Sequence, residues 1–218
     1  MQPKESINDF VIKFANVNGT GSASANGMFA KAIFRMGIPV SPRNIFPSNI
    51  QGLPTWYEVR VSQDGYLGRR GGIDMMVSVN PQSFAKDVSE VEPGGYMVYD
   101  TTKPLDLRHV RRDVNYLGIP LTEMCLREYT DSRQRQLFKN VIYVGARAAL
   151  LNIDFAILKD LVREQFKGKE KLITPNIHAL EMGHQYASTH FTCPLGIHLK
   201  AGERAPKHIE EFDQILMD

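Results

Sequence analysis

Cysteine is the scarcest useful residue in this 218-residue sequence: only Cys125 and Cys193 occur. Two thiols exclude a disulfide framework and cannot supply the four thiolates of an iron–sulfur cluster, so any electrons must leave through another chain or domain. Long apolar runs are missing too, and residues 1–8 carry neither an apolar core nor a small-residue cleavage site. The reading is a chain with no membrane span and no secretory signal, with the cytoplasm expected. Charge of one sign is also lacking, since 26 Lys and Arg against 24 Asp and Glu leave a net charge of +2. That is too little for non-specific nucleic-acid binding, and the local cluster Arg108, His109, Arg111 and Arg112 reads as a solvated loop.

Several chemical motifs are absent as well. No HExxH, paired CxxC or GxSxG pattern is present. His178, His184, His190 and His198 surround Cys193, but a six-residue step turns a helical side chain well off one face, so no metal site is expected. The pair Glu210 and Glu211 lies in a charged tail and reads as solvated.

The elements that are present alternate in type. Residues 10–17 (FVIKFANV) form a buried first strand that runs into Asn18-Gly19-Thr20-Gly21-Ser22. Met28, Phe29, Ala32, Ile33 and Met36 then recur at helical spacing, with Ser22 or Ser24 as N-cap and Gly37 as the left-handed residue that ends the helix. Residues 38–46 make a second strand. Residues 55–62 (TWYEVRVS) alternate and are expected to turn at Gln63-Asp64-Gly65 into an antiparallel partner at 66–69. Residues 73–79 form a central strand, Pro81 opens a helix over 82–91, and Pro93-Gly94-Gly95 breaks it. Strands follow at 96–99 and 114–119. Helices are expected at 121–129, 138–151 and 155–166, with weaker helical signal from 169 to 186.

This pattern predicts an α/β three-layer sandwich with a mixed, mainly parallel sheet, a glycine loop after the first strand and a helical C-terminal part. Residues 1–189 form one domain and 190–218 a tail or linker. Met28, Met36, Trp56, Met75, Met76 and Met97 make an adaptable apolar set, expected to leave a patch for self-association or a partner.

A strand that feeds a helix through glycines presents backbone N–H groups where phosphate binds. The dinucleotide pattern needs a third glycine at position 24, occupied by Ser24, and an acid near the end of the second strand, where residues 39–46 have none. Nicotinamide binding is therefore disfavoured, and a packing turn without ligand stays open.

Three separated motifs in order, residues 18–27 (NGTGSASANG), 46–55 (FPSNIQGLPT) and 79–81 (VNP), resemble the gamma domain of 2-oxoacid:ferredoxin oxidoreductases, in the form fused ahead of the thiamine-binding alpha region. The resemblance covers about residues 9–166. Where many such domains carry GxGGQG, this loop reads Gly19-Thr20-Gly21-Ser22. It implies a complex that oxidatively decarboxylates a 2-oxoacid to its acyl-coenzyme A, with pyruvate and 2-oxoglutarate among the candidates and 2-oxoglutarate slightly favoured. Thiamine diphosphate, Mg and iron–sulfur clusters would sit in partner alpha and beta regions, and ferredoxin would accept the electrons. The chain is then a fragment or a separate subunit of an oligomer, inactive alone. Coenzyme A, or the partner, would meet Gly19, Thr20, Gly21 and Ser22, the second loop at Ser48, Asn49, Gln51 and Gly52, and Asn80. Arg60 would supply a cation. Two alternatives remain, a scaffold domain that touches no ligand and an independent nucleotide-binding enzyme.

Overall fold

The computed structural model describes residues 2–17, 22–45 and 53–202. Two residues, β1 (Ser6–Ile7), precede the main sheet. That sheet has six strands, β2 (Asp9–Val17), β3 (Val40–Ile45), β4 (Pro54–Ser62), β5 (Ile73–Ser78), β6 (Val91–Asp100) and β7 (Asn115–Ile119), in the order β3-β4-β2-β5-β6-β7. The run β2, β5, β6, β7 is parallel, whereas β4 is antiparallel to both β2 and β3. The sheet is mixed and mainly parallel, as expected, but its reversed strand arises differently. Residues 63–72 form a loop in which Tyr66 is 74% exposed, not a hairpin partner. Both edges of β4 are taken by β2 and β3, so residues 66–69 find no free edge there. Pro42 is tolerated because β3 is an outer strand.

Alternation along the strands assigns the two faces. Phe10, Ile12 and Phe14 of β2 and Tyr57, Val59 and Val61 of β4 join the larger core, while Val11, Met76 and Met97 face the opposite side. That smaller side is covered by α2 (Phe84–Glu90), through Phe84 and Val88. The larger core is closed by α1 (Ser22–Arg35), α3 (Leu121–Glu128), α4 (Ser132–Leu151) and α5 (Phe155–Gln165), with α6 (Glu170–His190) packed on α4. Gly37 ends α1 at φ 76°, as its position predicted. The six residues Met28, Met36, Trp56, Met75, Met76 and Met97 are all buried, between 0% and 7% exposed. The expected apolar patch built from them is corrected: both sheet faces are covered, and the methionines fill the core.

Two close approaches depend on glycine. Pro93-Gly94-Gly95, expected to separate a helix from a strand, lies inside β6 at a register shift against β5. A Cβ on Gly95 would stand 2.8 Å from Glu92 O and 2.9 Å from Asp74 O. Helices α4 and α6 cross backbone to backbone: a Cβ on Gly145 would lie 1.9 Å from Leu180 O, and one on Gly183 1.8 Å from Ile142 O.

Within the stretch expected to be a tail, residues 191–202 pack back onto the domain. A last strand, β8 (Ile197–His198), pairs in parallel with β1, and Leu195, Ile197 and Leu199 are buried. Leu195 N donates to Leu150 O and Leu199 N to Leu151 O, both at 2.8 Å. Asn8 and Lys200 exchange two further bonds, Nδ2 to carbonyl and N–H to Oδ1.

Candidate functional site

Strands β2, β3, β5, β6 and β7 all point the same way, so their carboxyl ends share one edge, where α1 and α3 also begin. Ligands bind at such edges in open α/β sheets. Of the residues expected there, Gly19, Thr20, Gly21, Ser48, Asn49, Gln51 and Gly52 lie outside the described residues. Ser22 is the first residue of α1, buried at this edge. Asn80 follows β5 at the same edge.

Arg60 does not belong to this edge, and its assignment is corrected. β4 starts there, with Pro54 opposite Val17, but Arg60 stands opposite Val11, roughly 20 Å along the strand at about 3.3 Å per residue. Its guanidinium pairs with Asp9 and donates to Val61 O. Because β4 runs backward, a cation late in its sequence lands at the far end.

A cleft of about 360 Å³ opens between the ends of β5 and β6 and the start of α3. Ser78, Asn80, Tyr99, Asp100, Lys103, Asp106, Thr122 and Lys139 line it, with Phe84 and Leu105 as apolar wall. Asn80 caps the turn at Pro81–Ser83, its Oδ1 accepting from Gln82 N at 3.1 Å. Its Nδ2 is buried and has no partner among the described residues. Asp100 accepts from Thr122 N, Thr122 Oγ1 and Thr102 N, which ties β6 to the first turn of α3. Lys139 Nζ, from α4, lies 3.5 Å from Thr122 Oγ1 and 3.9 Å from Asp100 Oδ2. The cleft's base is held from behind by Asp87, which accepts from Trp56 Nε1 (2.8 Å), Ser78 Oγ (2.7 Å) and Ser83 Oγ (2.8 Å). Burial pushes the Asp87 carboxyl above its ordinary range, against these three donors and with a smaller push from Glu90.

Chemically, the cleft combines two lysines with two carboxylates. The Asp100 carboxylate is occupied by three bonds and by Lys139, and the Asp106 carboxylate by Arg108, while Lys103 stands exposed at the rim. With both carboxylates engaged, the two lysines are the groups placed to meet an anion. Asp100, Lys103, Thr122 and Lys139 were not anticipated from the sequence. The one available signal was the acid that terminates the apolar strand at 96–99.

The histidines go to separate neighbours: His178 to Glu128 at 2.9 Å, His184 against Phe155, and His190 stacked on Tyr186. Cys125 is buried, its thiol pushed up to about 11 by burial, and half-buried Cys193 turns its thiol toward Ala187 O. Neither thiol sits in surroundings that favour the thiolate an iron–sulfur cluster needs.

The sequence profile described as pyruvate ferredoxin/flavodoxin oxidoreductase matches residues 11–186. The chain belongs to that family. Within it, the chain is 24% identical to 2-oxoacid:ferredoxin oxidoreductase 2 subunit alpha of Aeropyrum pernix, covering 85% of this chain and 35% of that one. It is likewise 24% identical to the 2-oxoglutarate synthase subunit KorC of Archaeoglobus fulgidus, over 80% of this chain and 88% of that subunit. Among solved structures, the 2-oxoglutarate:ferredoxin oxidoreductase of Magnetococcus marinus, with 2-oxoglutarate, coenzyme A and succinyl-CoA bound, superposes with a TM-score of 0.79 at 24% identity. That match covers 92% of this chain and 34% of the other. The pyruvate oxidoreductase subunit PORC of Thermotoga maritima gives 0.66 at 20% identity, over 82% and 96%. The chain thus spans about a third of the longer relatives and most of the gamma-type subunits. Its fold is that of a gamma subunit in this family, and its homologues are parts of multisubunit oxidoreductases.

Proposed function

We propose that this chain is the gamma-type region of a 2-oxoacid:ferredoxin oxidoreductase and contributes coenzyme A binding and assembly to the oxidative decarboxylation of a 2-oxoacid. The observation that carries the reading is the cleft at the carboxyl edge, lined by Lys103 and Lys139 with both neighbouring carboxylates, Asp100 and Asp106, already engaged. Coenzyme A brings phosphates, which suit the two ammonium groups. Asp87 and Asp100 hold Ser78, Ser83 and Thr122 in place, so the receptor exists before the ligand arrives and loses little entropy on binding. Residues 18–21 and 46–52 come directly after β2 and β3 in the sequence, and their roles as phosphate or partner loops rest on the sequence.

The decarboxylation and electron transfer belong to partner alpha and beta regions that carry thiamine diphosphate, Mg and iron–sulfur clusters, with ferredoxin as acceptor. The assembled complex is the system in which to test this. Lys139→Gln removes one charge-assisted contact, worth about 1.5 to 3 kcal/mol, and should raise the Kd for coenzyme A by roughly ten- to hundredfold while 2-oxoacid-dependent decarboxylation persists. An intact complex that binds coenzyme A equally well after Lys139→Gln and Asn80→Leu means that the cleft receives no coenzyme A, and the domain is a scaffold.

A further inference from the structure

Beneath the first turns of α1, away from the cleft, the larger core contains a cation with no counter-charge among the described residues. Arg147 of α4 is 0% exposed, its Cζ lying 4.2 Å from the ring centre of Phe14, 4.3 Å from Phe29 and 4.5 Å from Tyr143. Its Nε donates to Tyr143 O at 3.1 Å, but Nη1 and Nη2 have no partner among the described residues. Two more buried polar atoms nearby are orphaned: Asn26 Nδ2, whose amide is oriented because its Oδ1 accepts from Tyr143 Oη at 3.0 Å, and Tyr57 Oη.

The sum of these groups is lopsided. Guanidinium and carboxamide hydrogens are all donors, and of these orphaned atoms Tyr57 Oη alone can accept. No described carboxylate pairs with Arg147. The charged forms that act on it are those of Tyr143 and Tyr57, and both phenols are held neutral, Tyr143 pushed up to about 12 by burial and Tyr57 higher still. Aromatic faces relieve part of the cation's loss of water but cannot accept from the in-plane Nη hydrogens. A lone water answers poorly, since it brings two hydrogens of its own into a place already rich in donors.

We propose that Arg147, Asn26 and Tyr57 form an internal receptor for one small inorganic anion of halide size. The anion accepts from Arg147 Nη1 and Nη2, from Asn26 Nδ2 and from the Tyr57 hydroxyl, and neutralises the core of the domain. It is a structural ligand, distinct from coenzyme A and independent of the cleft's assignment.

Bromide is the probe. Crystals of the full chain grown in bromide should show an anomalous peak beside the Arg147 terminal nitrogens. At matched ionic strength the full chain should melt about 5 °C or more higher in bromide or chloride than in gluconate, which is too large to enter. Arg147→Met and Asn26→Leu should each remove that difference between salts. If Arg147→Met does not fold, the anomalous map and the Asn26→Leu melts decide. A peak-free map containing only an ordered water, or equal melting in bromide and gluconate, overturns the proposal.

Discussion

Placing a methyl group on Gly183 is the sharpest test of the packing that supports the carboxyl edge, because α4 carries Lys139 and α6 braces α4 from behind. An alanine Cβ there would sit 1.8 Å from Ile142 O and 2.8 Å from Ala146 N. Carbon contacts become favourable only near 3.5 Å, so the two helices must part by more than about 1.5 Å at their crossing. Both offending atoms are backbone, so no rotamer change relieves the clash, and the seam is lined by fully buried Ile142, Ala146, Ala179 and Leu180. Overpacking of this kind costs about 1 to 3 kcal/mol, and the upper end applies where backbone cannot yield. Alanine returns up to about 1 kcal/mol through its helix propensity, which leaves a net loss of roughly 2 kcal/mol or more. For a chain of this size that lowers the Tm by about 4 to 8 °C in a circular-dichroism melt. Gly145→Ala should behave alike, since its Cβ meets Leu180 O at 1.9 Å. The double variant should lose less than the sum of the two, because helices parted for one methyl already make room for the other. If Gly183→Ala melts within about 1 °C of the parent, the helices do not cross as described.

Other consequences are as direct. Trp56→Phe keeps an aromatic ring but removes the indole N–H that serves buried Asp87, together with part of the packed ring system, and should cost at least about 1 to 3 kcal/mol in urea unfolding; an unchanged midpoint would refute the network. In the folded chain Cys125 should react with a thiol reagent at pH 8 more slowly than Cys193, because its thiol is buried and pushed up to about 11, and a peptide map of the labelled protein checks the order. Burial against Phe155, followed by the nearby Lys159, holds the His184 pKa below 6.5. A base depressed in the folded state contributes stability that is present above its unfolded pKa and lost as pH falls below about 6.5, so His184→Gln should flatten that acid limb in melts run from pH 7.5 to 5.

Much of this architecture can be read along the chain because local chemistry and fold agree. The apolar residues 10–17 form β2, the periodic Met28, Phe29, Ala32 and Ile33 form α1, and Gly37 ends it at positive φ. What could not be read is non-local. The alternation at 55–62 marks a strand but not its partners, so β4 was expected to fold onto 66–69 when it bonds β2 and β3. An arginine's address is equally hidden: Arg60 is spelled within a strand near the expected loops, yet the reversed direction of β4 carries it to the opposite edge. Lys139 and Arg147 belong to one helix, and no periodicity distinguishes the lysine that reaches the cleft from the arginine that enters the core. Asp100 and Thr122 meet only because β6 and β7 are neighbours.

The pairing of β1 with β8 bears on how the chain is made. Residues 6 and 7 wait for residues 197 and 198, and at about 5 to 20 residues per second a ribosome needs roughly 10 to 40 s to deliver them. Over most of that interval the face of β2 that bears Phe10, Ile12 and Phe14 lacks α4 and α6, which lie in the last 90 residues of the sequence. The nascent sheet is therefore a natural client for a holding chaperone, and slowing synthesis between residues 100 and 132 should increase aggregation more than slowing it after residue 190.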